Sequence, residues 1–454
     1  MPRPISQLRA DAQAIFRASL ERVDARRAVI GHLSLDRNKH TLQIGADVHL
    51  RLSAFERVFV VGAGKAGAPM ACAVEEVLDS TFQPQGLVNV KYGHTSPRPR
   101  FVALNECGHP LPDAAGAAGA REVADILEQL TERDLLFVVI SGGASALLPA
   151  PAEGIELEEK HRTSELLLRA GATIDELNAV RKHLSTLKGG QLALRASPAT
   201  VVALILSDVI GDRLDVIGSG PTAADLSTFS DAAGVLRKYD LEGVVPAAVM
   251  RRLMRGIRGE IMETPKQATF PTRQVHNIIV GSNRLAIDSA YETACALGYR
   301  TLILSSTMQG EAREVARVHV EILREAICSG SPIPLPACFL SGGETTVTVR
   351  GPGNGGRNQE FALAAAIAAA GLPNAVILAA GTAGTDGPTD AAGAMVDETT
   401  VARAMAMGYS PSDSLARNDS YPILDALGEL LRPGPTGTNV MDLNIMLSDG
   451  DQAG

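Results

Sequence analysis

Residues Val58–Leu78 read VFVVGAGKAGAPMACAVEEVL, and this stretch decides the fold class of the first half of the chain. An apolar run typical of a buried strand leads through a glycine-rich turn into an alanine-rich helix. The turn has the spacing G-x-G-x-x-G in the strand and helix context that this pattern requires. Glycines let a backbone approach a ligand closely, and free N–H groups at a helix start favour an anion. The stretch predicts a Rossmann-like unit with an anion site at Gly62, Gly64 and Gly67; a purely structural turn is the alternative.

Two departures from known fingerprints narrow the ligand of this turn. The next apolar run ends in VKYG at residues 90–93, without the acidic residue that holds a ribose hydroxyl in NAD-binding proteins. Lys65 is followed by Ala66 instead of Ser or Thr, and Phe59 stands where a Walker A loop has its first glycine. The sequence therefore favours neither a dinucleotide site nor a P-loop.

Apolar runs alternate with Ala/Leu/Glu-rich helical stretches through both halves, which is typical of parallel sheets covered by helices. The predicted strands of the first half are Arg57–Val61, Leu87–Lys91, Phe101–Cys107, Leu135–Ile140 and Val201–Leu206, and those of the second begin at Val275, Thr301, Ala337, Ala375 and Asn439. Residues 260–272 are polar, contain two prolines and form the expected linker. The prediction is an α/β protein of two domains, residues 1–270 and 271–454.

The composition argues against several classes of function. Acidic residues outnumber basic ones by 51 to 42, and the net charge of -9 provides no general attraction for nucleic acid or an anionic membrane. The chain has no tryptophan and only 4% aromatic residues, which leaves few stacking platforms for bases. The five cysteines form no C-x-x-C pair, and the N-terminus lacks an apolar signal core. We therefore expect a cytoplasmic protein that acts on a small molecule.

Two further segments of the first half carry candidate binding residues. The loop SGGAS at residues 141–145 follows the run LLFVVI and offers N–H groups and hydroxyls where open α/β sheets bind ligands. Its candidate cofactor-binding residues are Ser141, Gly142, Gly143 and Ser145. Residues 175–190 have helical periodicity, and their polar face carries Arg181 and Lys188. We expect these two cations to attract an anionic substrate; a solvated helix face is the alternative.

Polar residues at loop positions complete the set of candidates. Asp208 follows the run VVALIL, where a carboxylate can act as a base or hold Mg²⁺, or simply cap a helix. Arg357 follows a loop with four glycines and precedes a helix, which suits a guanidinium that binds an oxyanion at two points. Asp386 and Asp390 lie in the loop TAGTDGPTD and offer oxygen ligands to a hard cation, with an Asx-type turn as the alternative.

Taken in order, the motifs of this chain resemble those of the class II glycerate kinases, whose second half is the MOFRL domain. The motifs, each given with the number of its first residue, are VGAGKA (61), GHPLPD (108), SGGASALLP (141), LNAVRKHLSTLKGG (177), SDVIGD (207), IGSGPT (217), GSN (281), SGGETTV (341), GGRNQE (355), TDGPTDAAG (385) and TNVMDL (438). They span nearly the whole chain. The resemblance implies a Rossmann-like N-terminal domain and a smaller α/β C-terminal domain, with the active site in the cleft between them.

The resemblance also implies a reaction and its co-substrate. It implies an ATP-dependent kinase that uses Mg²⁺ or another divalent cation and phosphorylates D-glycerate to 2-phosphoglycerate. The active-site lysine and arginine of the family match Lys65 and Arg357. On this basis we expect these two residues to bind phosphate or the substrate carboxylate, Asp208 to act as the general base, and Asp386 and Glu344 to hold the metal.

Two other functions stay open at the level of sequence. An NAD(P)H-dependent hydroxypyruvate reductase would use Gly62–Gly67 for a pyrophosphate, and a sensor of sugar phosphates would bind without catalysis. The residues alone leave open which hydroxyl is phosphorylated, which metal is preferred and how many chains assemble.

Overall fold

A computed structural model describes residues 2–78 and 82–450. The chain divides into two compact units. The N-terminal unit comprises Ala25–Val280, and the C-terminal unit comprises the residues up to Asp24 together with those from Gly281 onward. The expected α/β protein with a two-domain layout is confirmed.

The N-terminal unit contains two sheets. A small antiparallel sheet is formed by β1 (Leu33–Asp36), β2 (Thr41–Ile44) and β3 (Val48–Arg51). The strands of the main sheet are β4 (Arg57–Ala63), β5 (Leu87–Lys91), β6 (Ala103–Cys107), β7 (Asp134–Ile140), β8 (Thr200–Leu206) and β9 (Val275–Gly281). Their order is β6-β5-β4-β7-β8-β9, and the pairs from β6 to β8 are parallel. This order is Rossmann-like, and ligands of such sheets bind where the strand order reverses, between β4 and β7.

The C-terminal unit contains a mixed sheet. Its strands are β10 (Arg300–Met308), β11 (Ala337–Gly343), β12 (Ala375–Gly381), β13 (Gly393–Asp397), β14 (Leu430–Leu431) and β15 (Asp442–Ser448), in the order β10-β11-β15-β12-β13-β14. Among the described strands of this sheet, β10 and β11 are the one parallel pair. The last strand, β15, inserts antiparallel between β11 and β12, and β13 and β14 are antiparallel as well. The expectation of a parallel sheet is therefore wrong for this half.

Helices cover the sheets of both units. The α-helices of the described residues are α1 (Ile5–Arg22), α2 (Ala25–His32), α3 (Gly67–Leu78), α4 (Ala114–Glu128), α5 (Ala144–Leu147), α6 (Leu157–Arg169), α7 (Ile174–His183), α8 (Gln191–Ala196), α9 (Phe229–Lys238), α10 (Ala247–Ile257), α11 (Asn283–Ala296), α12 (Ala312–Ser329), α13 (Arg357–Ala368), α14 (Thr400–Ala406), α15 (Pro411–Ala416) and α16 (Ser420–Ala426). The central strands β4, β7 and β8 are buried along nearly their whole length, as their uninterrupted apolar runs predict.

The division into units differs from the boundary expected at residue 270 in two respects. The run that begins at Val275 forms β9, which is the edge strand of the first sheet and not the start of the second. The first helix, α1, packs in the C-terminal unit, where its residues Leu8, Ala12 and Ile15 join the core formed by α11, β12 and β15. The N-terminal residues thus complete the core of the second half.

The apolar tract that follows Phe361 is part of a globular core. It is divided between α13 and β12, and both elements are buried in the C-terminal unit. Within the described ranges, no helix combines the length and the apolar character needed to cross a membrane.

Candidate active site

The glycine-rich turn after β4 is fixed by close packing against neighbouring strands. A Cβ atom on Gly62 would lie 2.0 Å from the carbonyl oxygen of Val139, and one on Gly64 would lie 2.0 Å from the Oγ atom of Ser141. Gly67 has the same restriction, because its Cβ would lie 2.6 Å from the side chain of Val88. These contacts explain all three glycines of the pattern without a ligand, so binding of a cofactor by the turn stays a prediction.

The backbone of this turn is also bonded to the loop after β7. The N–H group of Lys65 donates to the carbonyl oxygen of Gly142 at 2.9 Å, and the N–H group of Ala66 donates to the Oγ atom of Ser141 at 3.0 Å. The N–H groups of Lys65 and Ala66, which lie where the strand order reverses, are therefore hydrogen-bonded within the protein. What the turn presents to its surroundings is chiefly the side chain of Lys65.

A cavity of about 530 Å³ lies in the N-terminal unit beside the loop after β7. Its lining includes six of the residues predicted from sequence, namely Ser141, Gly143, Ser145, Arg181, Lys188 and Asp208. The structure thus brings together the predicted cofactor loop, the predicted substrate cations and the predicted base. Gly62, Gly64, Gly67 and Gly142 do not line it.

Lys188 is the most deeply buried cation of this cavity, with 2% of its surface exposed. Its Nζ atom donates to the carbonyl oxygen of Ser145 at 2.9 Å and, over longer distances, to the Oγ atom of Ser145 and the carbonyl oxygen of Gly218. All of these acceptors are neutral. Burial, with repulsion from Arg181, lowers the pKa of Lys188 to about 7.

Two more cations line the same cavity. Lys160, on α6, is 6% exposed, and its Nζ atom donates to the carbonyl oxygen of Pro149. Arg181, on α7, has a long hydrogen bond from Nε to the Oγ atom of Ser164 at 3.4 Å. Burial lowers the pKa of Arg181, and burial with repulsion from the neighbouring cations lowers that of Lys160 well below its usual value. Among the described residues, no carboxylate forms an ion pair with Lys160, Arg181 or Lys188.

Local sequence explains how these cations reach the cavity. Both α6 and α7 begin with a capping box, formed by Glu156 with Glu159 and by Thr173 with Glu176. The two helices pack together, and the chain after α7 is held by backbone bonds to the segment 218–220. Lys188 lies on this stretch, which places its side chain over Ser145.

A chain of hydrogen bonds extends from Lys188 into the protein. The Oγ atom of Ser145, which accepts from Lys188, lies 3.0 Å from the Oγ atom of Ser219, and Ser219 donates to the Oδ1 atom of Asn178 at 3.0 Å. Ser219 is buried and holds a left-handed backbone with φ of 65°, which is uncommon for a residue other than glycine. The Nδ2 atom of Asn178 is buried without a hydrogen-bond partner among the described residues. Such strain and incomplete pairing are typical of functional sites.

Lys65 does not line the cavity, but its charge acts on two residues that do. Burial, with repulsion from Lys91, lowers the pKa of Lys65, whereas the carboxylate of Asp208 acts in the opposite direction. Burial and the charge of Lys65 lower the pKa of His109 to about 4, so this ring is neutral at pH 7. The ring packs against Gly143, where a Cβ atom would lie 2.8 Å from it. The charge of Asp208 thus acts on Lys65, and the catalytic roles of both residues stay predictions.

Exposed apolar side chains also line the cavity. Leu111 and Leu168 are 61% and 57% exposed, respectively. Pro110, Pro112 and Pro149 are lining residues as well. The lining therefore combines buried basic groups with exposed apolar side chains.

In the C-terminal unit, Arg357 lies at the start of α13 and is surrounded by carboxylates. Its Nε and Nη2 atoms donate to the two oxygens of Asp442 at 2.6 and 3.0 Å, and its Nη1 atom donates to Glu344 at 2.5 Å. Burial opposes the charge, but the hydrogen bonds and charge of Asp442 raise the pKa of Arg357. The arginine is therefore held in place by internal ion pairs.

Asp386 lies beside this arginine and is itself hydrogen-bonded. Its oxygens accept from the N–H group of Gln359 at 2.9 Å and from the side chain of Asn358 at 3.3 Å. Burial, with repulsion from Asp442, raises the pKa of Asp386 to about 6. Asp390 is not part of this cluster, because its carboxylate contacts Tyr421 and Arg432 at the surface.

The surroundings of Asp386 and Glu344 differ in how well they suit a metal ligand. In the part of the chain that the structure describes, no three or more His, Cys, Asp or Glu side chains are grouped to hold a metal ion. Both oxygens of Asp386 are occupied by donors, whereas the side chain of Glu344 is 43% exposed. Mg²⁺ is usually held by one or two carboxylates together with substrate phosphates and water, so Glu344 fits that role better than Asp386.

Sequence reasoning missed several residues of these sites. Lys160 was not a candidate, and Ser219, Asn178 and Asp442 were noted only as members of longer motifs. A signal was available for Ser219, because the motif IGSGPT places a serine between glycines. For Lys160 no local signal exists in the helical segment LEEKHRTSELLLR.

The chain matches known families over most of its length. Residues 11–254 match a domain of unknown function, DUF4147, and residues 337–442 match the MOFRL family. The D-glycerate 2-kinase of Thermotoga maritima is 44% identical over 392 residues, which cover 86% of this chain and 91% of that protein. A provisionally named hydroxypyruvate reductase of Agrobacterium vitis is 40% identical over 393 residues, which cover 86% of this chain and 87% of that protein.

The fold of the chain is also similar to that of a solved glycerate kinase. The crystal structure of glycerate kinase from Thermotoga maritima superimposes with a TM-score of 0.87 and 41% sequence identity, covering 98% of this chain and 100% of that one. The chain belongs to the glycerate kinase family that combines a DUF4147 domain with a MOFRL domain, and the family expected from the sequence motifs is confirmed.

Proposed function

We propose that this chain is an ATP-dependent kinase that phosphorylates D-glycerate to 2-phosphoglycerate. The observation that carries the proposal is the cavity of the N-terminal unit, in which Lys160, Arg181 and Lys188 lie without ion-paired carboxylates in a member of this family. Buried cations that lack a counter-charge are costly, and an anionic ligand supplies that counter-charge. Both substrates of a glycerate kinase are anions.

Phosphoryl transfer depends mainly on positioning and on neutralising charge, and the residues suit both tasks. The cations of the cavity bind negative oxygens, and the hydroxyls of Ser141 and Ser145 orient them. Lys65 and Arg357 are proposed to stabilise the charge that develops on the transferred group. Asp208, coupled to Lys65, is proposed to accept the proton of the attacking hydroxyl.

A divalent cation is proposed to accompany the nucleotide, with Glu344 and Asp386 as candidate ligands. Bound Mg²⁺ would neutralise phosphate oxygens. The five free cysteines, Cys72, Cys107, Cys295, Cys328 and Cys338, suit a reducing compartment, and we infer that the protein acts in the cytoplasm.

The name of one relative favours a second candidate function, the reduction of hydroxypyruvate with NAD(P)H. The geometry of the glycine-rich turn weighs against it. Strand β5 ends at Lys91 without an acidic residue for the ribose, and the N–H groups of Lys65 and Ala66 are bonded within the protein.

A paired assay separates the two functions. We expect the purified protein to consume ATP only when D-glycerate and a divalent cation are present, and not to oxidise NADH or NADPH with hydroxypyruvate. Phosphorus NMR of the product should show 2-phosphoglycerate. Lys65→Ala should lose most kinase turnover, whereas the exposed Lys39→Ala should not. Reductase turnover without kinase turnover would overturn the proposal.

A further inference from the structure

We infer that the cationic cavity of the N-terminal unit is the site of the nucleoside triphosphate, with the phosphates against Lys160, Arg181 and Lys188 and the base against Leu111 and Leu168. The inference rests on the proposed kinase activity only for the choice of a nucleotide as the ligand. It assigns Arg181 and Lys188 to the nucleotide, whereas the sequence pattern suggested the acceptor substrate. Lys160 is a new residue of this site.

The volume of the cavity is the first argument. At about 530 Å³ it falls within the range of about 300 to 1,000 Å³ that holds ligands of drug-like size. A three-carbon hydroxy acid would occupy only a small part of it. A nucleotide, with its base, sugar and three phosphates, would fill far more of it.

The charge of the basic lining residues is the second argument. D-glycerate carries one carboxylate, which could compensate only one of the buried cations and would leave the others without a counter-charge. A triphosphate carries several negative charges and can contact all three side chains. The carboxylates that line the cavity do not supply this counter-charge, because Glu165 pairs with Arg169 and Asp208 acts on Lys65.

The apolar part of the lining is the third argument, and it distinguishes a nucleotide from free phosphate. Leu111 and Leu168 both line the cavity and are more than half exposed. A lining that combines exposed apolar side chains with basic groups is typical of a site for a ligand with one apolar and one charged end. A purine base has two apolar faces, whereas inorganic phosphate has none.

The first experiment measures binding without turnover, by calorimetry with a non-hydrolysable ATP analogue, inorganic tripolyphosphate and D-glycerate as separate probes. Lys160→Met removes the charge and keeps the length of the side chain. We expect it to weaken the analogue and tripolyphosphate by about tenfold or more, because a charge-assisted contact is lost. The matched control is Arg162→Met, an exposed position on the same helix, which should leave both affinities unchanged.

The second experiment tests the proposed contact between the nucleotide base and Leu168, an exposed residue whose replacement should not disturb folding. Leu168→Asn should weaken the ATP analogue about tenfold and leave tripolyphosphate unchanged, because only the nucleotide has a base. Leu194→Asn, at another partly exposed helical leucine, is its control.

Three outcomes would overturn the inference. The first is wild-type affinity for the ATP analogue in Lys160→Met together with a raised KM for D-glycerate. The second is a wild-type protein that does not bind tripolyphosphate, and the third is an unchanged affinity for the analogue in Leu168→Asn. A protein that binds the analogue as expected but never phosphorylates D-glycerate would refute the proposed function and leave the nucleotide site standing.

Discussion

In the cationic cavity of the N-terminal unit, the buried cations form no ion pair with a carboxylate among the described residues. In the Arg357 cluster of the C-terminal unit, the cation is surrounded by carboxylates. In the cavity, Lys160, Arg181 and Lys188 donate only to neutral oxygens. In the cluster, Arg357 is paired with Asp442 and Glu344. The cavity therefore keeps positive charge available for a ligand, whereas the cluster uses negative charge to hold one cation in a fixed orientation.

This difference shows what each region can contribute to phosphoryl transfer. Basic groups that lack a counter-charge gain most when an anion arrives, because the anion favours the charged form that burial disfavours. A guanidinium held at two points is pre-organised, and its contribution lies in geometry. The first region should determine affinity, and the second should determine rate.

The largest effect is expected from Arg357→Lys. Lysine cannot keep the paired contacts of a guanidinium with Asp442, so the cation should leave its position. We expect kcat/KM to fall on the order of 10³-fold, the scale of a lost transition-state arginine. The measurement is steady-state kinetics below the melting temperature of the variant.

The control for this change is Arg317→Lys on α12, an exposed arginine paired with Glu314. It should retain the activity of the unmodified protein. If Arg357→Lys melts normally and turns over at a near-native rate, the cluster has no role in catalysis, and the division between affinity and rate is wrong.

A smaller effect, on stability, is expected from Asp442→Asn. This carboxylate is buried and accepts two hydrogen bonds from Arg357 and one from Asn358. Its neutralisation leaves a half-buried guanidinium with only Glu344, and we expect the free energy of unfolding to fall by about 3 kcal/mol. Denaturation with urea measures the change. Asp390→Asn, at an exposed carboxylate, is the matched control and should melt normally; equal stability of the two variants would refute the structural role of Asp442.

A pH-dependent effect is expected from the opposite region. The folded protein holds the pKa of Lys188 at about 7, whereas an unfolded chain holds a lysine near 10.4. Between these two pKa values the unfolded state binds a proton that the folded state lacks. The burial of charged Lys188 therefore lowers the free energy of unfolding by its full amount below pH 7, and this loss disappears as the pH rises towards 10. Lys188→Met removes this loss.

The measurable quantity is the difference in unfolding free energy between Lys188→Met and the unmodified protein. We expect the variant to be favoured most near pH 7, with the advantage shrinking by about 1 kcal/mol per pH unit towards pH 9. Urea denaturation at several pH values gives this curve. A difference that does not change with pH would show that Lys188 stays charged in the free protein and has a counter-charge.

The first sheet could be predicted from sequence because its signals are local. The run from β4 through the glycine turn into α3 has its pattern within 21 consecutive residues, Val58–Leu78, and the strands β7 and β8 are near-continuous apolar runs. The direction of β15 could not be predicted in this way. Whether a strand pairs parallel or antiparallel depends on the path of the whole chain, and β15 inserts between strands that precede it by dozens of residues.

The same distinction applies to the sites. Arg357 could be found because a lone arginine between a glycine-rich loop and a helix is visible in the sequence. Asp442 could not be assigned a role, because it acts through a register that places it opposite both Gly343 and Gly381. Lys160 is buried where α6 packs on its neighbouring helices, and a helical segment with acidic and basic residues in equal number gives no sign of a cation turned inward.

The smallest effect is expected from Ser219→Ala, which tests how the cavity holds Lys188. The change removes the hydroxyl that donates to Asn178 and approaches Ser145, so the Oδ1 atom of Asn178 loses its donor. We expect a loss of stability of about 1 kcal/mol and a few-fold weaker binding of tripolyphosphate, since Lys188 would keep its bond to the carbonyl oxygen of Ser145.

The variant Ser219→Gly distinguishes the effect of losing the hydroxyl from the effect of backbone strain, because glycine adopts the left-handed conformation without strain. If the hydroxyl positions Lys188, both variants should bind tripolyphosphate equally weakly, with the glycine variant the more stable of the two. Full affinity in either variant would show that Ser219 contributes only to folding.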